Sequence, residues 1–474
     1  MTPPSLREGQ TIGVLLPSAL TESFEIVLAR IADLEFQGAQ VKVISCNGTV
    51  KGCVSNPLRY EGTCRQCRRV RDKALGQTAP RAELLLLDTS YPGPFPILTP
   101  DESAELEAGV NSTILTFYRG DIESSLNQPL RRWIYRQLAN RYREHSLFVY
   151  VAISRLLVKG HLDRLEFFNG RIVPTRGALL AARRVGCDFS VLEVSGRDRH
   201  LTVTANSSVH DIDFKQEELR RFLLQPDLDR QSGIDFFESR RKGVETNDKS
   251  FTTHQKQGKL QRTNRPVLAI FTSSADELKI SGAQWFTRAS QNPVEFIVEL
   301  AERIGREFDV VVRMHPNQAG DKTGAASAMI ETLSAIPYIQ LIPPTSSVST
   351  YELLDLACAV LTFGSTVGLE ATYWGKPSIL VGRALWDRQD VAYKLETPDE
   401  VVILLLTQPP ARPIEAAISV GAYYIIGTGV PGSLAWRYKG ITGFSVNEQS
   451  YIDIKRDAMA YWLTRAVDLF LKKY

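Results

Sequence analysis

Strand-length apolar runs that stop at polar loops, each followed by a helix-length stretch, recur along the whole chain, and few folds accept that alternation. Thr11–Leu16, Val41–Ser45, Glu83–Leu87, Leu165–Phe168 and Ser190–Val194 read as strands, separated by helical stretches such as Ser23–Gln37 and Leu130–Ser146. The pattern resumes with strands near Val267, Val310, Tyr338, Val360 and Ile379. Strands alternating with helices build parallel sheets covered by helices on both faces. Between the two series, residues 231–265 are polar and poor in large apolar side chains, which places the interdomain connection there. A chain of 474 residues with 43% hydrophobic side chains is too long for one ordinary core, so two domains are expected.

In open parallel α/β sheets, ligands bind beyond the carboxyl ends of the strands, where helix N-termini offer N–H groups to phosphate. Two segments of the second series occupy that position. Arg313-Met314-His315-Pro316 follows the strand Phe308–Arg313, and Gly364-Ser365-Thr366-Val367-Gly368-Leu369-Glu370 follows Cys358–Thr362. Pro316 restricts His315 to extended backbone, and Arg313 lies two residues earlier on the same strand side. Gly364 admits close approach to a ligand, and Ser365 or Thr366 can cap the helix or donate to phosphate. Thr366 and Glu370, four apart, share a helix face, so Glu370 can accept hydrogen bonds from a ribose diol. The plain alternatives are a loop histidine and an ordinary capped helix with a buried glutamate.

These segments, with Phe271-Thr272-Ser273-Ser274-Ala275-Asp276-Glu277, Asn317 and Gly375-Lys376-Pro377, resemble GT-B glycosyltransferases of capsule and surface-polysaccharide synthesis. The His-Pro and Ser/Thr pieces are similar to the nucleotide motifs of bacterial sialyltransferases and Kdo transferases, and more loosely to those of CDP-glycerol phosphotransferases and UDP-GlcNAc 2-epimerases. The resemblance implies two Rossmann-like domains facing across a cleft: an acceptor-side domain over residues 1–230, a nucleotide-sugar domain over 266–453, and a helix over 454–474 crossing back to the first domain. It implies transfer of a sugar from a nucleotide donor, CMP- or UDP-linked, to a surface-glycan or lipid-linked acceptor without a catalytic metal. Ser273, Ser274, Arg313, His315, Gly364, Ser365, Thr366 and Glu370 form the expected donor set. Asn169-Gly170-Arg171 and Arg176-Gly177 resemble a cleft loop of these enzymes, which assigns Asn169, Arg171 and Arg176 to acceptor or phosphate. A sugar epimerase, a CDP-polyol phosphotransferase or a glycan-binding scaffold without turnover fits the same phosphate-and-ribose set.

An inverting transferase needs a base. Glu193 and Asp88, both at strand ends of the first domain, are the candidates, though each can instead cap a helix or pair with an arginine. Asp211-Ile212-Asp213 and Asp227-Leu228-Asp229 imitate a metal-binding Asp-x-Asp but lie in or beside connecting sequence, and no metal role is assigned to them.

Of six cysteines, four fall between Cys46 and Cys67, the last two as Cys64-x-x-Cys67. Four thiolates suit tetrahedral zinc, which would pin the polar loop from Asn47 to Thr63. Free thiols, a labile disulfide or an iron–sulfur cluster remain alternatives. Arg65, Arg68, Arg69, Arg71 and Lys73 follow without the aromatic residues that stack on bases, and 56 basic residues nearly balance 53 acidic ones, so no nucleic-acid partner is expected.

The first eight residues carry no apolar signal stretch, which predicts a cytosolic protein and makes the sequons at Asn47 and Asn111 chance matches. Residues 416–436 carry no charge but contain four glycines and Pro431, and only Ile418–Ile426 is strongly apolar, which predicts a buried or membrane-surface helix and peripheral contact with the inner membrane face. Gly427, Gly429 and Gly432 spell a dinucleotide fingerprint that Pro431 interrupts.

Overall fold

The computed structural model describes residues 9–21, 23–50, 52–87, 97–118, 128–160, 162–194, 200–208, 210–243, 264–273, 283–321 and 323–427, with the backbone of four short strands beyond them. The chain forms two compact units, residues 1–209 with 428–474, and residues 210–427.

The first unit runs β1 (Thr11–Leu15), α1 (Ser23–Phe36), β2 (Gln40–Cys46), α2 (Glu61–Thr78), β3 (Glu83–Leu87), α3 (Pro100–Tyr118), α4 (Pro129–Val158), β4 (Arg164–Phe168), α5 (Thr175–Val185), β5 (Phe189–Val194) and β6 (His200–Ala205). Five strands are parallel in the order β5-β4-β1-β2-β3; β6 and, later, β13 (Val430–Pro431) add antiparallel at the β5 edge. The expected strands are all present. β6 was not anticipated: HLTVTA alternates polar and apolar residues, as an antiparallel strand near an edge does, rather than forming the continuous apolar run of a buried parallel strand. One face of the sheet is covered by α3, α4 and α5 through Val110, Tyr135, Tyr142, Tyr150 and Leu179, the other by α1 and α2 through Phe24, Val27, Ile31 and Val70. Helix α1 is so enclosed that Arg30 is buried, where it makes a two-pronged bond to the buried Glu166 of β4 at 2.8 and 3.0 Å.

The second unit runs α6 (Ile212–Leu223), α7 (Arg230–Arg241), β7 (Val267–Phe271), α8 (Arg288–Gln291), α9 (Pro293–Ile304), β8 (Asp309–Arg313), α10 (Ala325–Ser334), β9 (Ile339–Ile342), α11 (Thr350–Leu356), β10 (Ala357–Thr362), α12 (Val367–Tyr373), β11 (Ser378–Leu380), β12 (Tyr393–Lys394), α13 (Pro398–Leu406) and α14 (Ile414–Ile426). Its six strands are parallel in the order β12-β11-β10-β7-β8-β9. In the part of the chain that returns to the first unit, β14 (Trp436–Tyr438), β15 (Phe444–Val446) and β16 (Gln449–Ser450) form an antiparallel three-stranded sheet.

The division of the chain differs from expectation. It falls at Val209/His210, so α6 and α7 belong to the second unit, and residues 231–241, read as connecting sequence, lie in the helix Arg230–Arg241. Asp211 and Asp229 are its helix caps: Asp211 accepts from Phe214 N–H at 3.0 Å, and Asp229 from Gln231 and Ser232 N–H at 3.0 and 3.2 Å. One aspartate of each Asp-x-Asp imitation is thereby accounted for as a helix cap. Residues 416–426 lie in α14, whose buried face crosses α7 at Gly233 and Gly421; a Cβ on Gly233 would meet the Ile418 carbonyl oxygen at 2.1 Å. Among the described residues no helix is long and apolar enough to cross a membrane. The expected helix at 454–473 lies outside the described residues.

Candidate functional site

In the second sheet, β7 is flanked on one side by β8 and β9 and on the other by β10 and β11, so the chain switches direction between β7 and β10. That is where an open parallel sheet leaves a ligand crevice. Thr272 and Ser273 leave β7, His315 follows β8, and Gly364, Ser365 and Thr366 leave β10, so three adjacent strands deliver them to the same edge. Ser274 lies outside the described residues.

His315 is held from several sides. Its N–H donates to Thr272 Oγ1 at 3.2 Å and to Gln318 Oε1 at 3.0 Å, and its backbone is extended as Pro316 requires. Its Nδ1 accepts from Asn317 N–H at 3.2 Å, so a neutral ring carries its proton on Nε2. Arg313 is 5% exposed; it donates to the Val348 carbonyl at 2.7 Å, and among the described residues no carboxylate pairs with it. Burial pushes its pKa down to about 10. A desolvated cation of this kind favours an anionic neighbour.

The Gly364 loop is partly open while the strand beneath it is buried. Gly364 takes φ +127°, and a Cβ there would lie 2.4 Å from the Arg383 carbonyl oxygen, so the turn requires glycine. Ser365 Oγ accepts from Val367 N–H at 3.3 Å, and Thr366 stands at the start of α12.

Glu370 does not present its carboxylate as expected. It is 3% exposed, accepts the Tyr351 hydroxyl on Oε2 at 2.6 Å and lies 3.5 Å from Arg240 through Oε1. Burial pushes the carboxyl above its ordinary range, against the pull of Arg240 and the Tyr351 hydrogen bond. The face shared with Thr366 turns inward toward α7 and α11, because the helix buries its Leu369 to Thr372 segment. Neither Arg240 nor Tyr351 is signalled by a motif; Thr272 lies within the quoted Phe271–Glu277 segment, whereas Gln318 has no sequence signal.

In the first unit, Asn169 follows β4, and Glu193 stands near the end of β5. Asn169 Nδ2 donates to Glu193 Oε2 at 2.7 Å, and its Oδ1 accepts from Arg171 N–H at 3.2 Å. Arg171 donates to Ser112 and, at 3.0 Å, to Thr116; burial lowers its pKa to about 10, with Glu193 opposing and Arg176 adding to the fall. Arg176 donates to Glu105 at 3.2 Å, and burial lowers its pKa as well. Asn169, Arg171 and Glu193 are thus brought together with Arg176 nearby, and Glu193 remains partly exposed. Asp88 lies outside the described residues.

The four clustered cysteines are free thiols: Cys46 ends β2, Cys53 lies in the loop that follows, and Cys64 and Cys67 lie in the first half of α2. Burial raises Cys53 to about 12, with contributions from Cys67, Cys46 and Cys64; it also raises Cys64 and Cys67. Among the described residues no group of three or more His, Cys, Asp or Glu side chains is arranged so that it could hold a metal ion.

Residues 238–400 match the family model for capsule polysaccharide biosynthesis protein. No curated protein matches the chain. Solved structures similar to it include Thermosulfurimonas dismutans KpsC, beta Kdo 2,4 transferase (13% identity, 56% of this chain and 80% of that one, TM-score 0.38). A UDP-GlcNAc 2-epimerase from Neisseria meningitidis bound to UDP-GlcNAc (14%, 88% and 99%, 0.31) and a glycosyltransferase from Rickettsia africae ESF-5 (11%, 89% and 94%, 0.30) are similar too. At these TM-scores the likenesses carry no argument. Over residues 238–400, then, this chain of two Rossmann-like α/β units resembles the capsule polysaccharide biosynthesis proteins.

Proposed function

We propose that the protein is a glycosyltransferase of surface-polysaccharide synthesis that uses a nucleotide-sugar donor, CMP- or UDP-linked, and a glycan or lipid-linked acceptor. The observation that carries this is the desolvated Arg313 guanidinium, without a carboxylate partner among the described residues, two residues before His315 in the stretch that matches the capsule family. Arg313 and the Gly364–Thr366 loop offer charge and donors to the phosphate, and His315 offers Nε2–H to phosphate or base. Glu370 is left out of this set because its carboxylate is engaged internally.

The first unit receives the acceptor. Arg171 and Arg176 bind acceptor or phosphate, and Glu193, oriented by Asn169, takes the proton of the attacking hydroxyl. The hydroxyl oxygen forms a bond to the anomeric carbon as the bond from that carbon to the phosphate oxygen breaks, and the electron pair departs with the nucleotide. Departing charge is stabilised by fixed cations and N–H groups, so no catalytic metal is invoked. The enzyme works in the cytosol or at the inner membrane face, where such donors and lipid-linked acceptors meet.

The test is turnover of CMP-, UDP-, GDP- and dTDP-sugars by the full chain, followed by mass spectrometry with and without extracts of surface glycan. Donor consumption coupled to a glycosylated product is expected. Epimerised UDP-sugar without acceptor would replace this reading with an epimerase, and product retaining phosphate with a phosphotransferase. No turnover and no nucleotide binding would leave a scaffold.

A further inference from the structure

The loop between β2 and α2 buries Val50, packs Val54 against the core under α3–α5, and is tied to α4 by Arg141 and His145, which donate to the Pro57 and Gly52 carbonyls at 2.6 and 3.1 Å. The rest of it, with Asn47, Gly48, Thr49, Ser55 and Asn56, is small or polar. What converges there is sulfur. Gly48 N–H points at Cys46 Sγ at 3.1 Å, the buried Asn56 amide points at Cys64 Sγ at 3.2 Å, and Ala19 N–H points at Cys67 Sγ at 3.3 Å with Ser18 Oγ at 3.5 Å. Cys53 is tied to Asn56 by a backbone bridge, with Asn56 N–H donating to the Cys53 carbonyl at 3.0 Å. A Cβ placed on Gly48 would meet the Arg68 guanidinium at 2.0 Å and lie 3.5 Å from Cys64 Cβ, so the backbone after Cys46 passes beside Arg68 and Cys64.

A neutral thiol is a weak acceptor, whereas a thiolate draws N–H donors strongly. Three of the four sulfurs face such donors, an arrangement suited to thiolates bound to a cation. The hydrogen bonds of the neighbouring guanidiniums go to oxygen and not to sulfur: Arg68 donates to the Asn47 carbonyl and to Glu61, each at 2.8 Å, and Arg71 to the Cys46 carbonyl at 2.8 Å, to Ser45 and to Asp72. They brace the loop backbone around the cluster instead.

We propose that Cys46, Cys53, Cys64 and Cys67 together bind one zinc ion, which fastens the loop between β2 and α2 to the loop after β1. Four sulfur ligands suit tetrahedral zinc; among the described residues no group of three or more such side chains stands ready to hold a metal, so binding requires the four cysteine side chains to close on the ion. The Ser18 and Ala19 contacts place one ligand, Cys67, against the segment leaving β1. That strand lies between β4 and β2, at the point where the first unit's sheet changes direction and opens its own crevice. The zinc is a structural ion that shapes the edge of this crevice, and all four positions are taken by protein.

The full chain, purified under reducing conditions without added metal and passed over a desalting column, is expected to hold about one zinc per chain by plasma mass spectrometry. Replacement by Co(II) is expected to give the near-ultraviolet sulfur-to-cobalt absorption of a thiolate site. Cys64→Ser with Cys67→Ser is expected to lose both signals, and Cys187→Ser to keep them. Folded, reduced wild-type protein that is metal-free, gives no cobalt–thiolate absorption and exposes its clustered cysteines to a thiol reagent as readily with chelator as without would overturn the proposal, as would iron with visible charge-transfer bands. These readouts on the wild-type chain stand even where the double variant fails to fold, and they are independent of nucleotide binding.

Discussion

Glu370 separates two accounts of the second unit by a single substitution. If its carboxylate is structural, Glu370→Ala removes the acceptor of the Tyr351 hydroxyl at 2.6 Å and the counter-charge of Arg240 at 3.5 Å. Truncating one partner of a fully buried ion pair costs about 3–5 kcal/mol. Arg240 is 24% exposed, so water compensates part of its loss and the lower end, about 3 kcal/mol, is expected. Tyr351→Phe keeps the ring beneath Arg241 and deletes one hydrogen bond to an acidic group, about 1.5–3 kcal/mol. Urea titration followed by circular dichroism reads both as earlier midpoints. Nucleotide affinity of the folded protein, measured below the transition, should stay within a factor of about two for either variant. An unchanged midpoint together with lost nucleotide binding would refute this reasoning and return Glu370 to the ribose.

His315→Ala removes an imidazole donor while Thr272 and Gln318 still hold the backbone N–H; affinity for the bound nucleotide should fall about tenfold by calorimetry, with the melting temperature little changed. His145 donates from Nδ1 to the Gly52 carbonyl at 3.1 Å, and burial depresses its pKa from 6.5 to about 4. Its depressed value means the folded state resists protonation, so its stability contribution is present above pH 6.5 and is lost as the pH falls toward about 4, amounting to about 3 kcal/mol. His145→Gln should flatten that part of the stability profile in urea titrations across this range, and an unchanged slope would exclude the residue. Gly233→Ala would bring a methyl against the Ile418 carbonyl, and overpacking of the α7–α14 crossing should cost about 1–3 kcal/mol, seen as a lower melting temperature.

The parallel strands were legible because strands buried on both faces are continuous apolar runs, and their loops were legible because glycine, proline and capping residues sit at strand ends. Arg230–Arg241 was not legible as a helix. Its large apolar residues are few, and what makes it one is partnership with distant segments: Phe237 stacks on Tyr373 at 4.2 Å and Phe236 on Tyr424 at 5.1 Å. Glu370 was legible as lying on the same face as Thr366, but helical spacing does not say whether that face meets a ligand or a core. The answer depended on Tyr351 and Arg240, remote in sequence. Asn169 and Glu193 could be placed at strand ends individually, and only the adjacency of β4 and β5 joins them.

The most direct test of a nucleotide-sugar site in the second unit is the thermal shift of the full chain with CMP, UDP, GDP and dTDP in parallel with the His315→Ala variant. A ligand at a hundred times its dissociation constant stabilises the folded state by about 2.7 kcal/mol. CMP or UDP should raise the melting temperature of the wild type and raise it distinctly less in the variant. No shift with any nucleotide, or an equal shift in wild type and variant, would contradict the site.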